Sequence, residues 1–362
     1  MKNYYGWQLY HWHLEPSSKC ALRCPRCPRT ELPNTPWLNL EISLDVFKQA
    51  FTPNFISEHV QRFTMCGDVG DPIYCKDYLK IIQYIKTIKP TCHIFTITNG
   101  SYKTKAWWMK FAEISNEYDT INFSVDGYDQ ESNNLYRINN NFDSIMTGMK
   151  VMGYYSPAFV YWAAIYFSFN ENHQNRIKSL ADENGCDGIQ WTKSTKFNSK
   201  YNKAYGDVDT LEPSTPYISS THRYERHTDL ISNRTINNIE YMQTNLAKYQ
   251  TINKTQSIIP LCMIGNRGMF LNADGIVYPC CWVSFPYKSM TSGKKTIHYT
   301  DSFFTKYRNK FNINLHSLEE IINNPLWQKL FNSWKNDPWV ECSLKCSNQY
   351  VTQDYAVGYE TN

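Results

Sequence analysis

The sequence predicts an α/β fold built on a parallel sheet, followed by a smaller module of different character. Three observations carry that prediction. Short runs of strand character alternate with segments whose apolar residues recur at helical spacing. About six such strand–helix pairs follow one another in roughly 190 residues, which is the repeat of βα units. From about residue 256 the alternation stops, and a hairpin pattern with new cysteines takes over. Periodicity alone leaves a barrel and a doubly wound sheet equally open.

Taken in order, Gln8 to Glu15 (QLYHWHLE) alternates and reads as the first strand, broken by Pro16, Ser17 and Ser18. Ser43 is placed to cap a helix over Leu44 to Ala50. Arg62 to Cys66 reads as the second strand. The turn GDVGDP, Gly67 to Pro72, follows it, and its glycines allow close backbone approach. Tyr78, Ile81, Ile82, Ile85 and Ile88 share one face of a helix from Asp77 to Lys89, with Pro90 beyond its end. His93 to Thr98 is the third strand, closed by Asn99-Gly100, and a helix over Trp107 to Ile114 follows. Thr120 to Val125 is the fourth, closed by Asp126-Gly127. Phe142, Ile145, Met146, Met149 and Met152 mark the next helix. Phe159 to Phe169 reads as the fifth strand, and a helix over Asn172 to Asn184 ends at Gly185. Gly188 to Thr192 is the sixth strand.

Asn198 to Ser257 is polar and weakly periodic, with one helical piece between Ile236 and Tyr249. A hairpin comes next: Gly268 to Leu271, the turn Asn272-Ala273-Asp274-Gly275, then Ile276 to Tyr278. Ser317 to Glu320 is a capping box. It starts a helix carrying Ile321, Ile322, Leu326, Trp327, Leu330 and Phe331.

Composition narrows the function classes. With 362 residues and 42% hydrophobic content, the chain can bury a large domain and a smaller one. A formal net charge of +4 is too small to point to nucleic acid or a membrane. The stretch MKNYYGWQLYHWHLEP has no apolar run of signal-peptide length, and no segment approaches the ~18 apolar residues of a span. The 12 cysteines therefore read as metal ligands in a reducing cytoplasm rather than as a disulfide framework.

Their spacing gives the chemistry. KCALRCPRCPR, Lys19 to Arg29, sets Cys20, Cys24 and Cys27 in a C-x3-C-x2-C array. Three thiolates hold three corners of a cubic iron–sulfur cluster and leave the fourth iron open. A structural zinc would want four closed ligands, more often from paired C-x2-C knuckles; a zinc-bound or buried loop is the alternative. The array resembles the signature of the radical S-adenosylmethionine (radical SAM) superfamily. Arg26 stands where many members carry an aromatic residue.

The resemblance implies a partial (β/α)6 TIM-like barrel over residues 1–197 and a [4Fe–4S] cluster on Cys20, Cys24 and Cys27, with S-adenosylmethionine chelating its open iron. Gly70, Asp71 and Pro72 take the place of the family's Gly-Glu-Pro motif, whose backbone carbonyls receive the SAM amino group. Ser124 and Asp126 would face the ribose and carboxylate, and Arg137, in the run LYR, would bind the carboxylate. Asn170 and Lys193 are weaker candidates. Cys66, Cys75, Cys92 and Cys186 lack cluster spacing and read as core residues, as do the Trp107-Trp108 pair and, on the first strand, His11 and His13.

A second constellation follows. Folding the hairpin brings Cys262 toward Cys280, and Cys342 and Cys346 form a C-x3-C pair; four cysteines complete a four-thiolate site. The pattern, with G-x4-C at Gly275 to Cys280, resembles the twitch domain, the shortened SPASM domain. It implies one auxiliary [4Fe–4S] cluster on Cys262, Cys280, Cys342 and Cys346 over residues 256–362. Cys281 is the alternative to Cys280, and a zinc ribbon the alternative to a cluster. Residues 198–255 would form a bridging segment facing substrate.

The implied function is reductive cleavage of S-adenosylmethionine to a 5′-deoxyadenosyl radical that takes a hydrogen atom from a substrate. By analogy that substrate is a peptide or protein side chain, with a sugar-like small molecule as the alternative. A flavodoxin- or ferredoxin-type partner would supply the electron. The rival class is a non-catalytic iron–sulfur or zinc protein. PCCW, Pro279 to Trp282, together with the GDP turn looks like the twitch-bearing radical SAM proteins of environmental bacteria and their phages.

Overall fold

The structure is a computed structural model that describes residues 9–31, 38–194, 210–216, 219–223, 258, 260–264, 269–284, 303–304, 306–336, 338–339, 342 and 346. Its elements run β1 (His11–Leu14), α1 (Pro28–Glu31), α2 (Leu44–Ala50), α3 (Pro53–His59), β2 (Arg62–Met65), α4 (Tyr78–Ile88), β3 (His93–Thr98), α5 (Lys105–Ile114), β4 (Thr120–Ser124), α6 (Gln130–Asn134), α7 (Phe142–Tyr155), β5 (Phe159–Ile165), α8 (Gln174–Glu183), β6 (Gly188–Thr192), β7 (Ser220–Arg223), α9 (Leu261–Ile264), β8 (Met269–Leu271), β9 (Val277–Tyr278), α10 (Leu318–Ile322) and α11 (Trp327–Asn336). They fall into two compact units, one of Met1–Glu15, Ile42–Thr64 and Thr228–Asn362, the other of Pro16–Glu41 and Met65–His227.

The second unit holds the parallel sheet. β3, β4, β5 and β6 pair side by side, all parallel, with Ile121 opposite Thr96 and Val160 opposite Ile121. Buried Ile121, Phe123, Val160 and Trp162 explain why these runs are strands: each is β-branched or aromatic and packs against the covering helices. α4, α5 and α7 lay Ile81, Ile82, Ile85, Trp108, Phe111, Ile145 and Met149 on the sheet. Two buried carboxylates fasten the strand starts. Asp119 accepts from the Ile94 amide at 2.9 Å, and Asp187 from the Val160 amide at 2.8 Å.

β7 pairs antiparallel with β6 at the edge of this sheet. It falls in the stretch read as a bridging segment. Its sequence, STHR, has no apolar alternation, so backbone pairing alone defines it. The expected helix between Ile236 and Tyr249 lies outside the described residues. The fifth strand stops at Ile165 rather than Phe169. There the Asn170 side chain accepts from the Phe167 amide at 2.9 Å and folds the chain into a turn.

In the first unit the strand order is β2-β1-β8-β9. β8 lies parallel to β1, pairing Trp12 with Met269 and Leu14 with Leu271, and β9 returns antiparallel to β8. Trp12 is fully buried, its ring 5.0 Å from that of Phe51 and 6.0 Å from that of Phe55. His11 meets the Thr64 hydroxyl at 3.0 Å and His13 packs edge-on to Phe270, so both are structural. A second aromatic group joins Tyr278, Phe303, Phe304, Phe311 and Trp327.

The single helix expected after Ser317 is two. Ser317 and Glu320 cap α10 reciprocally, as the capping box requires, but Asn323 ends it after Ile322. Pro325 lacks an amide hydrogen, and Asn324 accepts from the Leu326 amide at 3.0 Å, so a new helix starts at Trp327. Among the described residues no helix is long and apolar enough to cross a membrane.

Candidate active site and metal centres

The cysteine loop belongs wholly to the second unit, and its ends are pinned. Ser18 makes two hydrogen bonds with the Leu40 backbone, its amide donating to the Leu40 carbonyl at 3.0 Å and its hydroxyl accepting from the Leu40 amide at 2.9 Å. Arg29 donates to the Ser18 carbonyl at 2.5 Å and to Asn39 at 2.6 Å. Lys19 pairs with Glu41 at 2.9 Å. Between these anchors Cys20, Cys24 and Cys27 pack into one cluster with Leu22, Tyr136, Phe167 and Phe169. The structure thus brings the C-x3-C-x2-C cysteines together in an apolar pocket.

That pocket is a poor place for a free thiolate. Burial pushes the Cys20 thiol well up, and the nearby Asp71 charge adds to the rise. Burial likewise pushes Cys24 up to about 11, opposed by the charge and hydrogen bond of Arg137. Thiols placed so are held as thiolates when a metal supplies the compensating charge. Soft sulfur donors in an apolar surround suit an iron–sulfur cluster, so the residues present fit that group. Among the described residues no three His, Cys, Asp or Glu side chains stand arranged around a single metal ion. The fit therefore rests on donor chemistry and packing.

The GDVGDP turn packs against this loop. A Cβ on Gly70 would fall 2.0 Å from the Ser17 carbonyl oxygen, so only glycine lets the two backbones meet. The Asp71 amide donates to the Lys19 carbonyl at 2.9 Å, and Pro72 opens a 3-10 turn, Pro72–Tyr74. The Asp71 side chain is buried and fully engaged. It accepts from Ile73 N at 3.2 Å, Thr98 Oγ1 at 2.8 Å, Asn99 N at 2.6 Å and Asn99 Nδ2 at 2.5 Å. Burial still outweighs these donors and lifts its carboxyl to about 6.

Asn99 is the residue that sequence reasoning missed. It reads as half of an Asn-Gly turn, yet its amide also reaches Cys20 Sγ at 3.5 Å. The signal was its place directly after a parallel strand, at the sheet edge where such folds bind ligands.

Asp126 is buried too. Its Oδ1 accepts from the Ile165 amide at 2.7 Å and its Oδ2 from Arg137 Nε at 2.6 Å. Asn133 Oδ1 accepts from the amides of Asp126 and Gly127 at 2.9 and 3.0 Å. Asn170 donates to the carbonyls of Asp126 and Ile165, both at 2.8 Å. Asp126 and Asn170 thus lock the carboxyl ends of β4 and β5 together, and Asp126 holds Arg137 by its Nε. Ser124 is half-buried at the end of β4. Lys193 is exposed, its amide on the Ser219 hydroxyl at 2.9 Å.

The second cysteine set belongs to the first unit. Burial raises the Cys262 thiol strongly, and the next contributions come from Cys280, Cys346 and Cys342 in that order. Three further thiols within electrostatic reach of Cys262 make a donor set that fits a four-thiolate cluster. The hairpin makes this possible. Gly275 has φ +82, its amide donates to the Asn272 carbonyl at 3.0 Å, and Cys280 follows the return strand. The Cys281 carbonyl accepts from the Ser284 hydroxyl at 2.6 Å. Cys75, Cys92 and Cys186 are buried, and Cys66 is half-buried with its thiol on the Gly67 carbonyl. Trp108 is buried against Phe123.

Comparison with known proteins agrees with this picture. Residues 262–347 match the SPASM family, described as an iron–sulfur cluster-binding domain. The solved structure of Streptococcus suis SuiB bound to precursor peptide SuiA is similar at 14% identity, with a TM-score of 0.52, covering 88% of this chain and 66% of that one. SuiB bound to S-adenosylmethionine is similar at 14% identity and a TM-score of 0.50, over 92% of this chain and 77% of that one. A structure of anSMEcpe with bound AdoMet matches at 15% identity and a TM-score of 0.48, over 88% and 81%. No curated protein matches the chain by sequence. The chain therefore has the α/β fold of the radical SAM partial-barrel enzymes and carries a SPASM-type iron–sulfur cluster-binding domain over residues 262–347.

Proposed function

We propose that this protein is a radical SAM enzyme acting on a peptide or protein side chain. The observation that carries the reading is the packing of buried Cys24 and half-buried Cys20 and Cys27 on one apolar cluster. When bound there, a [4Fe–4S] cluster and S-adenosylmethionine together supply the 5′-deoxyadenosyl radical that abstracts hydrogen from substrate.

The chain's own residues have separable tasks. Cys20, Cys24 and Cys27 hold three irons. Gly70, Asp71 and Pro72 form the backbone ledge for the SAM amino group. Gly70 gives the ledge its close approach to the cysteine loop, and the Asp71 side chain fixes it from behind. Ser124 offers a hydroxyl at the end of β4. Asp126 orients Arg137, whose remaining N–H groups suit the SAM carboxylate. Tyr136, Phe167 and Phe169 line the pocket and exclude water from it. In the SPASM-type domain Cys262, Cys280, Cys342 and Cys346 would hold one auxiliary [4Fe–4S] cluster, with Cys280 in the G-x4-C register from Gly275. A one-electron carrier protein in a reducing cytoplasm is the natural donor. The peptide substrate is supported by the likeness in fold to SuiB, which was solved with its precursor peptide.

Anaerobic turnover tests the reading. Protein reconstituted with iron and sulfide, reduced with dithionite and given S-adenosylmethionine releases 5′-deoxyadenosine, and the Cys24→Ala variant releases none. Equal product from both chains, or none from a fully loaded wild type supplied with candidate peptides, contradicts it.

A further inference from the structure

The Cys20 sulfur has a donor behind it, and that donor has a carboxylate behind it. Asn99 Nδ2 lies 3.5 Å from Cys20 Sγ and 2.5 Å from Asp71 Oδ2, so its two amide hydrogens are both assigned. Its Oδ1 accepts from the Ser101 amide at 2.9 Å. Turning the amide over would set its oxygen against the carboxylate and its nitrogen against an N–H, so this orientation is fixed. Asp71 is fixed in turn by Thr98 and Ile73 and by the tie from its own amide to Lys19. Asp71 and Asn99 are both buried. Arg137, near Cys24, is held in a similar way, its Nε donating to the buried Asp126 carboxylate at 2.6 Å.

We propose that Asp71 and Asn99 form a carboxylate–amide relay that fixes an N–H on the Cys20 sulfur and makes the cluster held there easier to reduce. The inference rests on the cluster reading given above. Donors to a ligating sulfur draw charge from it and favour the more negative, reduced cluster, and outer groups of this kind tune a metal site through its ligands. Asn99 and Asp71 are positioning residues in this scheme, since they act through Cys20. The carboxylate prevents the amide from rotating away, so the donor is already in place when the electron arrives.

The test is a potentiometric titration of the reconstituted full-length protein followed by EPR. The signal that changes on adding S-adenosylmethionine identifies the cluster of the Cys20 set. Asn99→Leu keeps the side-chain volume and removes the donor, Asn99→Ala removes both, and Ser101→Ala removes a neighbouring hydroxyl, which accepts from the Asn141 amide at 3.3 Å, while leaving the donor. We expect the reduced-to-oxidised ratio at a fixed potential to fall about tenfold in both Asn99 variants, a shift of about 59 mV for one electron. Ser101→Ala should titrate as wild type. Unchanged potentials in iron-loaded Asn99 variants overturn the relay, as does an equal shift in Ser101→Ala. Loss of iron from both Asn99 variants would make Asn99 part of the scaffold that builds the site and would also overturn the tuning role. A wild-type signal indifferent to S-adenosylmethionine would sink the cluster reading itself, and the relay with it.

Discussion

At Gly70 a single hydrogen atom in place of a side chain lets the cysteine loop close on the turn behind it. A methyl group there would lie 2.0 Å from Ser17 O and 2.4 Å from Ser18 Cα, both backbone atoms that cannot swing aside. Gly70→Ala should therefore cost about 1–3 kcal/mol, as overpacking does. Its melting temperature should fall, and it should take up less iron on reconstitution than the wild type; an alanine variant that melts and loads normally would show that the loop yields. Other residues at this scale were only half legible in the sequence. Gly70, Asp71 and Asp126 stood out through their motif positions. That both carboxylates turn inward, Asp71 onto Thr98 and Asn99 and Asp126 onto Arg137 and Ile165, depends on contacts across about 27 and 39 residues of chain, beyond the reach of any local pattern. Asn99 was hidden for the same reason. Its neighbour in sequence is a turn glycine, whereas its functional neighbour is Cys20, 79 positions away.

Elements were legible wherever burial imposes a period. β3 and β6 begin and end where the alternation places them, and α2 starts on its Ser43 cap, whose side chain accepts from the Val46 amide. Where polar residues build an element by local hydrogen bonds, the period is silent. α6 (QESNN) exists because Asp129 and Ser132 cap it reciprocally, and β7 because its backbone completes the β6 edge. α10 combines both kinds of signal. Its Ser317 cap should be worth about 1 kcal/mol, so Ser317→Ala should lower the melting temperature by a corresponding amount. The cap also carries a pH dependence. The Ser317 amide holds the Glu320 carboxyl below the ordinary glutamate range. A depressed carboxyl stabilises the fold above its unfolded pKa and loses that contribution as pH falls through its folded one. Acid melting curves of wild type should thus converge with those of Glu320→Gln at low pH and separate above it. Curves that stay parallel would deny the carboxylate this role.

Across the whole molecule the twelve cysteines sort by environment. Cys20, Cys24 and Cys27 pack on one apolar cluster in one unit, Cys280, Cys342 and Cys346 stand within electrostatic reach of Cys262 in the other, Cys75, Cys92 and Cys186 are buried core, and Cys66 and Cys281 are half-buried outside these sets. Spacing alone separated the first set from the rest, because a cluster loop is local and C-x3-C-x2-C is written in eight consecutive positions. The second set needed the hairpin as well, since Cys262 and Cys280 meet through β8 and β9. Each set is proposed to hold one cubic cluster. The most direct measurement is iron and acid-labile sulfide per chain in anaerobically reconstituted wild type, Cys24→Ala and Cys280→Ala. About eight irons with matching sulfide in the wild type, and about four in each variant, is the result predicted for two independent cubes. Zinc without labile sulfide, or an iron content that neither substitution lowers, would contradict it.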